Sequence, residues 1–178
     1  MTTRYTWPAA LAVLAVGTLS AAAADTAVEL KSVHMCCGGC AKEVAKILGK
    51  VEGVSAVSTD QEAGTAKFTA ADAKAAQKAL DALAAGGFHG DPGGRPDIAF
   101  KDDSGVKPGK VKSLTVTGFH NSCGGCVKSF REAIKDVKGV TGDTAKAKVT
   151  TAQVTGEFDA AELVKALNKA GFHVKVKD

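Results

Sequence analysis

His34-Met35-Cys36-Cys37-Gly38-Gly39-Cys40 recurs further along the chain as His120-Asn121-Ser122-Cys123-Gly124-Gly125-Cys126. The match runs on without gaps, Lys42 aligning with Lys128, Val51 with Val137 and Gly53-Val54 with Gly139-Val140. After a small difference in length, Gly87-Phe88-His89 aligns with Gly171-Phe172-His173. The chain is a tandem duplication, so the fold to be read is that of one copy.

Outward from each Cys pair the periodicity alternates. Val28 to Leu30 and Leu114 to Val116 alternate as strands before it. Val44, Ile47, Leu48 and Val51 then fall on one helical face, as do Phe130, Ile134 and Val137. Short alternating segments around Val54 to Val57 and Ala66 to Phe68, matched by Val140 and by Val154 to Phe158, predict a hairpin. A second helix carries Ala76, Leu80 and Leu83 in copy one. In copy two it carries Leu163, Val164 and Leu167, and Asp159 with Glu162 three residues on marks its start. Val174 to Val176 makes a last strand. The order predicts an α+β fold of two tandem ferredoxin-like βαββαβ domains, each an antiparallel sheet covered by two helices on one face. In that plan the Cys loop and the Gly-Phe-His turn share one end of the domain. His89 is therefore expected near Cys37 and Cys40, and His173 near Cys123 and Cys126.

Residues 90–110 hold Pro92, Pro96 and Pro108 among several Gly and Asp, which is linker chemistry. Asp97 to Lys101 alternates like a short strand and is expected to complete the first domain. The expected division is 27–102, a linker at 103–111, and 112–177. At the start of the chain Arg4 precedes an apolar run from Ala9 to Val16, and small residues follow to Ala24. That order predicts a secretory signal over 1–24, cleaved after Ala24, with an exported, periplasmic or extracellular product and no stable membrane insertion afterwards. The apolar run is too short for a spanning helix. The formal charge of +4 names no partner. Phe is the only aromatic type after Ala24, which removes most of the support for nucleic-acid binding.

Both Cys pairs are local, and a bridge across two intervening residues would stabilise a domain little, so their role is read as chemical. The second Cys of each pair opens a helix whose N-terminus favours a thiolate, and the glycines let both sulfurs turn to one ion. Two thiolates alone suit a soft, low-coordinate metal. Added imidazoles would shift the preference toward Zn(II), and the residues leave both open.

Each copy resembles the heavy-metal-associated domain of copper chaperones, metal-pumping ATPases and the periplasmic mercury-binding protein. The family pattern Gly-Met-x-Cys-x-x-Cys falls on His34 to Cys40 and less fully on His120 to Cys126, and Lys50 to Val54 is typical of the turn after the first helix. The resemblance implies Cys37, Cys40, Cys123 and Cys126 as ligands, one site per domain. It implies Cu(I) as the ion, bound and then shuttled or sequestered, with Hg(II) or Zn(II) as alternatives. It also implies a transporter or chaperone as metal donor or acceptor. His34 and His120 depart from the family's Gly, and Asn121 from its Met. His34 and His120, with His89 and His173, are candidate auxiliary ligands. Cys36, opposite Ser122 in the second copy, is read first as a small loop residue and second as a further ligand. A thiol-disulfide oxidoreductase is the rival use of Cys-x-x-Cys. No Trp immediately precedes either pair and no Pro lies in either domain outside the stretch 90–110, so a non-enzymatic metal binder is preferred.

Overall fold

The computed structural model describes Met1 and residues 25–177. The expected leader over 1–24 lies, Met1 aside, outside the described residues. Copy one runs β1 (Thr26–Leu30), α1 (Gly38–Leu48), β2 (Val54–Asp60), β3 (Thr65–Ala70) and α2 (Ala73–Ala85). Copy two runs β4 (Lys110–Thr117), α3 (Gly124–Ile134), β5 (Val140–Asp143), β6 (Thr151–Asp159), α4 (Ala160–Lys169) and β7 (Lys175–Lys177). The second sheet has the order β5-β6-β4-β7 and the first β1-β3-β2, with every pairing antiparallel. The fold is α+β, two ferredoxin-like units in tandem. No helix among the described residues is long and apolar enough to cross a membrane.

The expected strand at Asp97 to Lys101 does not form. Where the first sheet should gain a fourth strand beside β1 there is a single bridge, Lys31 with Asp91, closed by two N–H···O bonds of 2.8 Å. Pro92 follows at once and has no N–H to give a ladder, and Gly93 and Gly94 turn the chain away with positive φ. The apolar pattern of the segment was nonetheless meaningful. Ile98 is buried in the core of copy one, and Ala99 bonds through both its N–H and its C=O to the Gln77 amide on α2. A side chain stands in for a sheet partner.

Each copy has its own core. In copy one Val44 and Leu48 of α1 meet Ala76, Leu80 and Leu83 of α2 and Phe68 of β3. In copy two Phe130 and Ile134 meet Leu163, Leu167 and Phe158. Each such Leu or Phe, fully buried, contributes about 1.5–3 kcal/mol relative to an exposed one. The helix starts differ by role. α2 and α4 are capped by aspartates, Asp72 accepting from Ala75 N–H and Asp159 from Ala161 and Glu162 N–H. At α1 and α3 the capping positions are Cys37 and Cys123, neither of which makes a side-chain cap bond. Those two helices turn their N-termini toward the sulfurs with no side-chain cap between.

Candidate metal centre

Cys40 and Cys126 occupy the first turns of α1 and α3, on the same helical faces as the core residues Val44 and Phe130, and both are fully buried. Each Cys-Gly-Gly-Cys loop keeps its own two sulfurs close, 3.6 Å for Cys37 and Cys40 and 3.9 Å for Cys123 and Cys126. The two loops also face each other. Cys40 Sγ lies 3.8 Å from Cys126 Sγ, and Cys37 Sγ 3.9 Å from Cys123 Sγ. The four sulfurs form a closed ring. The sequence leaves open whether the two Cys pairs act separately or clamp one ion; in the structure their sulfurs lie side by side in one cluster, and Cys126 and Cys123 pack against the core of copy one.

Cys36 sits against that ring. Its Sγ is 3.6 Å from Cys40, 3.7 Å from Cys123 and 3.4 Å from Cys126. Read first as a small loop residue, it lies in the structure among the sulfurs of both copies. What admits it is Gly125: a Cβ there would stand 3.0 Å from the Cys36 sulfur. Spacing within one copy could not reveal this, because the contact crosses from the loop of copy one to the helix start of copy two. In the matching place Ser122 Oγ lies 3.6 Å from Cys126 and 3.8 Å from Cys40. All five thiols are free.

The proton positions are unequal. Cys126 is held well below the usual thiol range, above all by the hydrogen bond from Cys40, with His120, His34 and Ser122 adding to it. Cys40, as the donor of that pair, is pushed up by the same bond and by burial. Burial is the leading reason that Cys36 is also pushed up. Cys37 is lowered to about 7, chiefly by the backbone N–H of Cys40 and then by its side chain. In the metal-free cluster Cys126 is thus the sulfur favoured as thiolate, and Cys36 and Cys40 are favoured as thiols.

The histidines divide into two pairs. His34 and His120 lie at the cluster and His89 and His173 do not, contrary to the expectation that each would sit at the Cys pair of its own copy. The cause is the way the copies meet. Each Gly-Phe-His turn packs against the Cys loop of the other copy. Gly87 C=O accepts from the N–H groups of His120 and His173, and Gly171 C=O accepts from His89 N–H. A Cβ on Gly87 would fall 2.3 Å from His120 N, and one on Gly171 2.2 Å from His34 N, so only glycine allows this approach. Phe172 stacks on His34 at 4.1 Å and Phe88 on His120 at 4.3 Å. His89 and His173 meet each other across the joint at 5.8 Å, with His89 also stacked on Phe100. His173 Nε2 bonds Asp103 at 2.7 Å.

The first pair is itself asymmetric. His120 Nε2 bonds Ser122 Oγ at 3.2 Å. His34 is 5% exposed and its Nε2 is buried without a hydrogen-bond partner. An imidazole buried beside thiols with an unused nitrogen fits a metal ligand. The potential donor atoms fall into two groups, His34 with Cys36, Cys40 and Cys126, and Cys36 with Cys37 and Cys123, each mutually within 4.8 Å. A metal about 2.3 Å from each sulfur would place three sulfurs about 4.0 Å apart in a trigonal shell and two about 4.6 Å apart in a line. A tetrahedral shell would place them about 3.8 Å apart, and the observed 3.4–3.9 Å spacings fit the tetrahedral and trigonal shells rather than the linear one.

The departure at Asn121 has a structural role. Met35 is buried in the core of copy one. At the matching position Asn121 is also buried, and its Nδ2 donates to the C=O of Lys146 and of Val149, both at 2.8 Å. It ties the second Cys loop to the connection between β5 and β6.

The sequence pattern of the heavy-metal-associated domain matches residues 29–89 and again 122–173. Similar solved structures include the N-terminal soluble domains of Bacillus subtilis CopA, at 16% identity, covering 87% of this chain and 95% of that one with a TM-score of 0.30. Another is the water-soluble region of the P-type ATPase CopA from Bacillus subtilis, at 19% identity, covering 87% and 93% with a TM-score of 0.30. No curated protein matches the chain.

Proposed function

The chain belongs to the heavy-metal-associated domain family, and from that footing we propose that it binds a soft monovalent ion, Cu(I), between its two copies and hands it on. The observation that carries this reading is the ring of Cys37, Cys40, Cys126 and Cys123 with Cys36 against it, five free thiols gathered from both copies. Soft sulfur donors favour Cu(I) over harder ions. Cys37, lowered to about 7 and only half-buried, suits a first ligand that accepts the ion from a donor. Buried Cys40 and Cys126 suit the ligands that retain it.

The sulfurs carry no chemistry beyond ligand exchange in this reading, and the protein is a carrier or store rather than an enzyme. Its partners are a transporter or chaperone that presents matching thiols. The leader pattern over 1–24 supports a working place outside the cytoplasm, where bound metal would also protect the thiols from oxidation.

A second reading has its own observation. His34, Cys36, Cys40 and Cys126 form a Cys3His set, the donor composition of tetrahedral structural Zn(II) sites. Anaerobic titration of the reduced protein with Cu(I), Zn(II) and Hg(II), in competition with chelators of known strength, separates the readings. Cu(I) is expected to displace Zn(II) completely. Zn(II) retention against Cu(I) would favour the second reading, and turnover of a disulfide substrate without tight metal uptake would overturn both.

A further inference from the structure

Resting on the reading of the cluster as a soft-metal centre, we infer that it takes two monovalent ions side by side, with the Cys36 thiolate bridging them. The two donor groups overlap at one atom, Cys36 Sγ, and share nothing else. On one side Cys36, Cys40 and Cys126 form a triangle of 3.6, 3.4 and 3.8 Å, with the unpartnered, buried His34 at its edge. On the other, Cys36 and Cys37 lie 3.7 and 3.9 Å from Cys123. Each group alone offers at least three soft donors, enough for a three-coordinate ion. A thiolate sulfur has lone pairs to bind two ions at once, and loss of the Cys36 proton on loading supplies that thiolate.

The count of donors agrees: one ion at either group would leave sulfurs of the other without a ligand role, and two ions leave none unused.

The asymmetry of the duplication points to Cys36 in particular. The two copies are related residue for residue across the joint, and at this one ligand position the second copy has Ser122, whose hydroxyl is engaged with His120. Cys36 is thus an added donor at one side of an otherwise matched ring. It also lines a groove of about 520 Å³ beside α3, with Lys128, Ser129 and Glu132, which offers an ion or an incoming thiol a route to the bridge.

The test is native mass spectrometry of the reduced protein loaded anaerobically with Cu(I), with X-ray absorption on the same samples. The protein is expected to saturate at two tightly held ions, with copper–copper scattering. Cys36→Ser places in copy one the residue that copy two already carries. It is expected to fold, to hold one ion and to lose the copper–copper signal, and Cys36→Ala is expected to do the same. Two ions retained in both variants would overturn the bridge. Saturation of the unmodified protein at one ion would overturn the pair of ions and leave the proposed function standing. Absence of tight copper uptake would overturn that function as well.

Discussion

At the residue scale, His34 and His120 are equivalent in the sequence and unequal in the structure. Ser122 satisfies His120, while nothing bonds His34 Nε2. His34→Ala is therefore expected to weaken Cu(I) binding by on the order of 10–100-fold, the loss typical even of groups that only support a ligand. His120→Ala is expected to weaken it less, and competition against a chromophoric chelator reads both. The paired glycines make a second contrast. Gly125→Ala pushes a Cβ to 3.0 Å from the Cys36 sulfur, whereas Gly39→Ala meets Cys37 Sγ at an ordinary 3.5 Å. Alanine favours a helix over glycine by about 0.8–1 kcal/mol. Gly39→Ala should leave metal stoichiometry intact and the melting temperature unchanged or higher, and Gly125→Ala should displace Cys36 and reduce the metal held. The repeat made four of the sulfurs legible as a site from the chain alone. The place of Cys36 was not legible, because it depends on a contact between copies that no spacing within one copy encodes.

At the scale of elements, the strands and helices follow their periodicities closely, since each copy buries a regular apolar face. Asp159 starts α4 as its spacing to Glu162 predicts. The exception is the segment after His89. Ile98 and Phe100 have the alternation of a strand, but Pro92 and the Gly93-Gly94 turn intervene, and Gln77 takes the backbone groups a sheet would have used. Alternation reports which side chains are buried, while the ladder depends on donors and turns upstream. Ile98→Ala is expected to destabilise the protein by about 2–4 kcal/mol, read as a lower midpoint in urea. A cost below about 0.5 kcal/mol would show that the segment is not part of the core of copy one.

Over the whole molecule the two copies meet at one joint. The Gly-Phe-His turns, which within one copy seemed placed to supply ligands, instead join the copies through Phe88, Phe172 and the facing His89 and His173. Burial first, and then the neighbouring His173, lower His89 to about 4, with Asp91 opposing. The same group titrates near 6.5 when unfolded. Between those values the unfolded chain takes up a proton that the folded chain refuses. Folding stability is thus complete above about pH 6.5 and falls as the pH drops toward about 4. Urea midpoints at pH 7 and pH 5 should show this loss, and His89→Phe, which keeps the stack on Phe100, should reduce it. The central claim is that one metal centre belongs to both copies. The most direct measurement is the Cu(I) affinity of the Cys37→Ser/Cys40→Ser double variant, taken by anaerobic competition. A shared centre predicts that affinity falls by on the order of 100-fold or more, since each donor group loses a sulfur. Retention of one ion per chain at undiminished affinity, held by Cys123 and Cys126 alone, would contradict it.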